Sequence, residues 1–188
     1  MSILVRCCAV SCFLFFAWGM GWHFRRRPDA AHAGPPRAML ATALVAALCA
    51  ALQIAALLIR LLRFPAAALS MYGCSAALFW GAVKVTRGQL AACGQGCVSS
   101  RIVRGGPYRY IRHPFYAAYN LTWLGGFVAT GWWPLALTAV LMAAIYERFA
   151  REEERGLMAG PQGAAYREYR LRTGKYWPRI RAGRSIPD

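Results

Sequence analysis

The chain has 188 residues and is 58% hydrophobic, yet it carries 23 Lys and Arg against 7 Asp and Glu, a net charge of +16. Sorted by position, the charges leave residues 7–24, 38–59, 65–83 and 114–146 without any Asp, Glu, Lys or Arg and crowd into the other half of the chain. Uncharged runs of this length exclude intrinsic disorder and argue against a soluble nucleic-acid-binding domain, which has no need of four stretches long enough to enter a bilayer.

A helix rises about 1.5 Å per residue and the hydrocarbon layer is about 30 Å thick, so roughly 20 apolar residues make one crossing. Residues 3–24 are expected to form the first span. Their positive charges come mainly after the apolar stretch, so the segment reads as a span and not as a cleaved signal peptide. Residues 38–59 and 65–83 are expected as the second and third spans, and the small-residue stretches Ala41–Ala56 and Ala66–Ala82 suit close helix packing. The run 114–146 would make a single helix of about 50 Å, too long for one crossing. Gly125-Gly126, Gly131 and Pro134 punctuate its middle. It is expected to form two short helices that turn near Gly131-Trp132-Trp133-Pro134, with the two tryptophans at one interface and Arg112, His113 and Arg148 snorkelling at the other. The expected fold is therefore all-α: an integral membrane protein of about five transmembrane helices, the last two a helical hairpin. Residues 1–83 hold three N-terminal spans, and residues 84–188 a second region of loop, hairpin and C-terminal segment.

Lys and Arg are enriched in cytoplasmic loops. Five spans put 20 basic residues on one side, in 25–37, 84–112 and 147–188, and leave only Arg6, Arg60 and Arg63 on the other. The N-terminus is expected to face out and the C-terminus in, with Arg25-Arg26-Arg27 as a juxtamembrane basic cluster. The seven cysteines are odd in number and lie mostly inside spans, where they serve as small apolar residues. Cys93 and Cys97 have no second Cys or His pair to complete a zinc site, so no metal is expected.

The few carboxylates are more informative than the many cations. Five of the seven lie in 147–168, and Glu152-Glu153-Glu154 sits where the fifth span leaves the membrane, inside a basic tail. Read by itself, the triplet is a solvated helix end with Arg148, Arg151 and Arg155 as neighbours one turn away. The hairpin, however, brings a second polar cluster to the same face: Gly105-Gly106-Pro107-Tyr108-Arg109-Tyr110-Ile111-Arg112-His113-Pro114-Phe115-Tyr116. Pro114 suits the first turn of a helix, which sets the His113 imidazole beside the positive helix end and favours its neutral form.

The ordered set of Gly-Pro-Tyr-Arg-Tyr-Ile-Arg-His-Pro-Phe-Tyr at 106–116, a hydrophobic hairpin, Arg151-x-Glu153-Glu154-x-x-Leu157, and Gly163-x-x-Tyr166-x-x-Tyr169 ending at Pro178 resembles the isoprenylcysteine carboxyl methyltransferase family. It is similar also to the phospholipid N-methyltransferases. The resemblance covers roughly residues 80–180, and it implies that 84–188 is the methyltransferase core of a membrane enzyme using S-adenosylmethionine. The pocket would lie on the cytoplasmic side, closed by the C-terminal segment. It implies that Tyr108, Arg112, His113, Pro114 and Tyr116 line the cofactor site. Glu153 and Glu154 would hold the cofactor's ammonium or ribose hydroxyls, with Glu154 and Arg151 as catalytic residues and Arg151 near the methyl-accepting group. Three departures touch the lipid side of that pocket: Ala118 where the family has Gly, Gln162 where it has Phe, and one extra residue between Leu157 and Gly163.

The chemistry of the residues agrees. A sulfonium that also carries an ammonium and a carboxylate needs acceptors, donors and an aromatic wall. Glu153 and Glu154, Arg112 or Arg151, and Tyr108, Tyr116 or Trp177 offer these. No Gly-x-Gly-x-x-Gly follows a strand, which excludes a Rossmann-type methyltransferase. The implied acceptor is lipid-like or prenylated; a phospholipid amine or a long-chain phenol or pyrone is the alternative within the class. The alternative of another class is a noncatalytic membrane protein that binds anionic lipid through its basic face.

Overall fold

The computed structural model describes residues 1–25, 37–93 and 102–179, with side chains described for 1–14, 40–86 and 102–179. The described chain is helical: α1 (Ser2–Arg25), α2 (Arg37–Ile59), α3 (Pro65–Cys93), a short 3-10 turn (Gly106–Arg109), α4 (Pro114–Thr130), α5 (Trp133–Ala159) and α6 (Gly163–Arg172). Its one β feature among the described residues is an isolated parallel bridge between Ile111 and Gly174. Two helices, over Leu40–Ile59 and Pro65–Thr86, are long and apolar enough to cross a membrane, and Ser2–Leu14 is a shorter apolar helix.

Helix α3 runs ten residues past the expected end at 83. The cause is local. Lys84, Val85 and Thr86 carry no breaker, and the Thr86 hydroxyl donates back to the Ala82 and Val83 carbonyls at 2.9 and 3.2 Å, capping its polar atom without leaving the helix. The expected break in 114–146 falls at Gly131, with α4 ending at Thr130 and α5 beginning at Trp133. Gly131 adopts φ +62, the left-handed conformation that glycine supplies without a Cβ clash, and its N–H caps α4 by donating to the Phe127 carbonyl at 2.7 Å.

The described residues form two compact units. The first comprises residues 1–77 and 118–147. Val5, Leu57, Tyr72, Leu135 and Met142 are buried in it, and polar groups join its helices. Gln53, fully buried in α2, donates from Nε2 to the Trp123 and Thr122 carbonyls of α4 at 2.9 and 3.3 Å. Ser75 of α3 meets the Ala118 carbonyl at 2.7 Å and the Thr122 hydroxyl at 2.8 Å, and Trp123 Nε1 donates to the Tyr146 hydroxyl at 3.1 Å. Meanwhile α2 exposes Leu44, Leu48 (72%), Leu52 and Leu58. Polar residues inside and leucines outside is the reverse of a water-soluble helix, and it is the arrangement a hydrocarbon solvent favours.

The second unit comprises residues 78–117 and the described residues from 148 onward. The end of α3 packs on the segment that follows it: Phe79 meets Phe115 edge-on at 5.5 Å between ring centroids, and Gly81 abuts the Pro107 ring. This unit carries both polar clusters singled out in the sequence.

Candidate active site

Three elements of the second unit build the site. The first is the strand-like approach to α4. A residue before proline is pushed out of the helical region, so His113 stays extended while Pro114 opens the helix, and the His113 carbonyl accepts from the Ala117 N–H at 3.0 Å to close the first turn. The second is the end of α5. Ala150 and Glu154 are buried and four residues apart, so they share one stripe, while Glu152 and Glu153 face outward. The third is the chain after α6. Gly174 N–H donates to the Tyr110 carbonyl at 3.0 Å, Arg112 N–H to Gly174 O at 2.9 Å and His113 N–H to Lys175 O at 3.1 Å, so two extended segments about 60 residues apart pair through their backbones. A Cβ on Gly174 would stand 1.7 Å from the Trp177 carbonyl oxygen, so this tight turn admits only glycine.

The side chains converge on the carboxylates. Arg112 Nε donates to Glu154 Oε1 at 2.9 Å, and His113 Nε2 lies 3.2 Å from the same oxygen. The Tyr116 hydroxyl donates to Glu153 Oε1 at 2.8 Å, and His113 Nδ1 stands 3.6 Å from Glu153 Oε2. The imidazole thus lies between the two glutamates. It stacks on Tyr116 at 5.6 Å and faces Tyr176 at 6.1 Å between centroids. Arg112 also forks to the C-terminal segment, donating from Nη1 to Thr173 O at 2.5 Å and Arg170 O at 3.3 Å. The Tyr169 hydroxyl adds a bond to the Tyr108 carbonyl at 2.7 Å.

Burial sets the protonation states, with neighbours correcting it. It pushes the His113 pKa below the ordinary value; the bond and charge of Glu154 oppose this, and the Lys175 and Arg112 charges reinforce it. Burial alone would raise Glu154, but the hydrogen bond and charge of Arg112, joined by His113, hold it below the usual carboxylate range. Glu154 is therefore an ionised acceptor, and the proton it shares with the neutral His113 sits on Nε2. Burial pushes the Tyr169 hydroxyl up to about 12 and raises Tyr166, which also feels the Glu154 charge.

Of the residues singled out in the sequence, Arg112, His113, Pro114, Tyr116, Glu153 and Glu154 come together here. Tyr108 joins through its carbonyl, half-buried. Arg151 is exposed on α5 one turn before Glu154. Two expectations shift. Arg112, offered as a donor for a ligand carboxylate, directs Nε and Nη1 to protein acceptors and so acts as a clamp. Trp177, offered as an aromatic wall, is 73% exposed, and Tyr176 is the ring beside His113. Tyr169, Arg170 and Thr173 hold the C-terminal segment in place. Nothing in the sequence marks the Arg170 and Thr173 carbonyls, because main-chain acceptors carry no residue signature. Among the described residues no three His, Cys, Asp or Glu form a group that could hold a metal ion.

The family model of the phospholipid methyltransferases matches residues 65–160, just over half the chain, and spans α3, α4, α5 and both polar clusters. The chain belongs to the phospholipid methyltransferase family. Its place among the phospholipid methyltransferases supports a membrane methyltransferase of lipid-like molecules, and members of this family typically use S-adenosylmethionine. No curated protein and no solved structure matches the chain.

Proposed function

We propose that the chain is an integral membrane methyltransferase that transfers the methyl group of S-adenosylmethionine to a carboxylate on a lipid-like or prenylated acceptor, in the manner of the isoprenylcysteine carboxyl methyltransferases. It would cross the bilayer five times, N-terminus out, with residues 1–83 as membrane spans and 84–188 as the catalytic core on the cytoplasmic side. The observation that carries this reading is the junction of the Arg112-His113-Pro114-x-Tyr116 corner with Glu153 and Glu154: anionic, aromatic and neutral-imidazole groups within hydrogen-bond distance in a chain with only seven acidic residues.

The donor set suits the cofactor. Bound there, S-adenosylmethionine would supply a methyl group activated by a sulfonium. Glu153, half-exposed and oriented by Tyr116, is the acceptor for its ammonium, while Glu154, paired with Arg112, holds the corner in place. Tyr116, Tyr108 and Tyr176 offer ring faces. Neutral His113 brings no competing positive charge. Arg151, exposed one turn before Glu154, would face the acceptor's carboxylate, which is ionised at neutral pH, with a pKa of about 3.5, and needs no base. The chain's work is then to bind, orient and exclude water, since opposite charges are better separated by water than joined in it.

A second reading has its own support in the family match, whose description is phospholipid methyltransferase. An amine or phenol acceptor must lose a proton, and the imidazole of His113, kept neutral, is the base at hand. Calorimetric binding of S-adenosylmethionine or its demethylated product to detergent-purified protein tests the enzyme reading, and no measurable binding would sink it. His113→Ala and Glu154→Gln are expected to weaken that binding, while Arg172→Ala, which loses only a surface pair with Glu168, leaves it unchanged. Labelled cofactor with a farnesyl-cysteine analogue beside a total lipid extract separates the acceptors. Base-labile label on the analogue supports the ester, and base-stable label in the lipid fraction supports N- or ether O-methylation.

A further inference from the structure

The candidate active site uses none of the three basic residues that the charge pattern sets apart, Arg6, Arg60 and Arg63. All three belong to the first unit. Arg60 and Arg63 occupy the turn between α2 and α3. The Arg60 guanidinium lies 4.1 Å above the Trp132 ring. Arg63 donates its N–H to the Ala129 carbonyl at 2.7 Å and lays its stem against Gly131, where a Cβ would stand 2.8 Å from Cδ. The α2–α3 turn is thereby fastened to the α4–α5 turn.

Arg6 belongs at the same level. Cys12 Sγ approaches the Tyr72 carbonyl, and Phe13 meets Trp123 at 5.0 Å. Arg6 precedes Cys12 by six residues, about 9 Å of helix, and Pro65 precedes Tyr72 by seven, about 10 Å. With α1 and α3 parallel, as the five-span topology requires, Arg6 is level with the start of α3. Its Nε is buried without a hydrogen-bond partner among the described residues.

Among the described residues none of these three arginines has a carboxylate partner. The acidic residue of this unit among them, Glu147, lies fourteen residues along α5 from Trp133, about 21 Å away. Around the turn Ile59, Leu61, Phe64 and Trp133 are exposed. A guanidinium stacked on a ring uses its face and keeps its N–H edges for an anion, and phosphate oxygens match that edge in pairs. Exposed apolar side chains beside the charges call for acyl chains and disfavour a free anion.

Resting on the membrane reading above, we propose that Arg60 and Arg63, with Arg6 behind them, bind the phosphate of a phospholipid whose acyl chains cover Ile59, Leu61, Phe64 and Trp133. In the five-span topology this lipid belongs to the leaflet away from the basic loops, so it is a second ligand, separate from the methyl acceptor.

Native mass spectrometry of the full chain in detergent tests this, with phosphatidylglycerol, diacylglycerol of the same chains, and inorganic phosphate as parallel probes. Wild type is expected to retain one phosphatidylglycerol at least about tenfold more tightly than diacylglycerol and to show no saturable phosphate adduct, as loss of charge-assisted bonds dictates. Arg60→Gln with Arg63→Gln should lose that margin, and the paired Lys variant should keep it within a few-fold. Arg6→Gln, outside the turn, should weaken retention on its own, so the idea stays exposed if the double variant does not fold. Arg172→Gln with Arg179→Gln removes the same charge elsewhere and should change nothing. Equal retention of diacylglycerol, saturable phosphate without lipid, full retention by the Gln pair, or equal loss in the charge-matched control would each overturn the site. A chain that binds S-adenosylmethionine but retains no phospholipid refutes this inference and spares the proposed function; one that retains the lipid and binds no cofactor does the opposite.

Discussion

Replacing Arg112 with lysine should release the C-terminal segment while leaving the helices intact. Arg112 reaches in two directions: Nε to Glu154 at 2.9 Å, Nη1 to Thr173 O at 2.5 Å and Arg170 O at 3.3 Å. Lysine keeps the charge and can stay with Glu154, but a point donor on a flexible stem cannot also hold the carbonyls. The Arg170 contact is at the long end and contributes little, so the loss is one charge-assisted bond, about 1.5–3 kcal/mol. That energy falls on local opening of the pairing between 110–113 and 173–175. Where reclosing outpaces exchange, the amides of Gly174, Arg112 and His113 should exchange roughly 10- to 100-fold faster. Hydrogen exchange read by mass spectrometry on the detergent-purified chain measures this, with the exposed Arg109→Lys as a control that should not change. Unaltered protection in Arg112→Lys would refute the clamp. So would faster exchange spread through α2, which would mean global loosening and not local release.

Glu154→Gln keeps an acceptor for Arg112 and His113 but removes its charge; thermal unfolding should show a loss of about 1–3 kcal/mol, whereas Glu152→Gln, which breaks an exposed pair with Arg148, should shift stability by less than about 0.5 kcal/mol. Acid should destabilise the fold in two stages. His113 is held below its ordinary 6.5, so the unfolded chain takes up a proton first and stability declines as pH falls below that value. Glu154 is held below its ordinary 4.5, so a further decline follows in that range, and melting temperatures from pH 7.5 to 4 that stay flat would contradict both. Gly131→Ala forces a left-handed alanine and should cost about 1–2 kcal/mol in the same assay, with no effect on cofactor binding.

Much of this is legible in the sequence. The break at Gly131 follows from an apolar run too long for one helix and dotted with breakers, and the meeting of the 106–116 cluster with Glu153 and Glu154 follows from the hairpin that break creates. Which glutamate of the triplet is buried is a finding of the structure, in which Glu154 extends the buried stripe Met142, Tyr146, Ala150 by one more turn. Composition alone hides it, since three identical residues in a row show no period. Arg112 as a clamp was not legible, because its acceptors are main-chain carbonyls of Arg170 and Thr173. The extension of α3 through Lys84, Val85 and Thr86 is not marked by the charge pattern, because the boundary at 83 is one of charge and a helix has no reason to stop where its solvent changes. Cys97 and the Arg25-Arg26-Arg27 cluster reach beyond the described residues and side chains.

The grip between residues 110–113 and 173–175 is made by N–H and C=O groups, which every residue but proline supplies alike. Substitutions at Lys175 can therefore accumulate without loosening it, and in distant relatives this stretch can drift beyond recognition while the same closure persists. Gly174, fixed by the oxygen of Trp177 that crowds it, and Arg112, whose guanidinium also holds Thr173 O, are the exceptions. A search for equivalent enzymes does better to look for one glycine at the right distance beyond an Arg-His-Pro corner than for similarity along the tail.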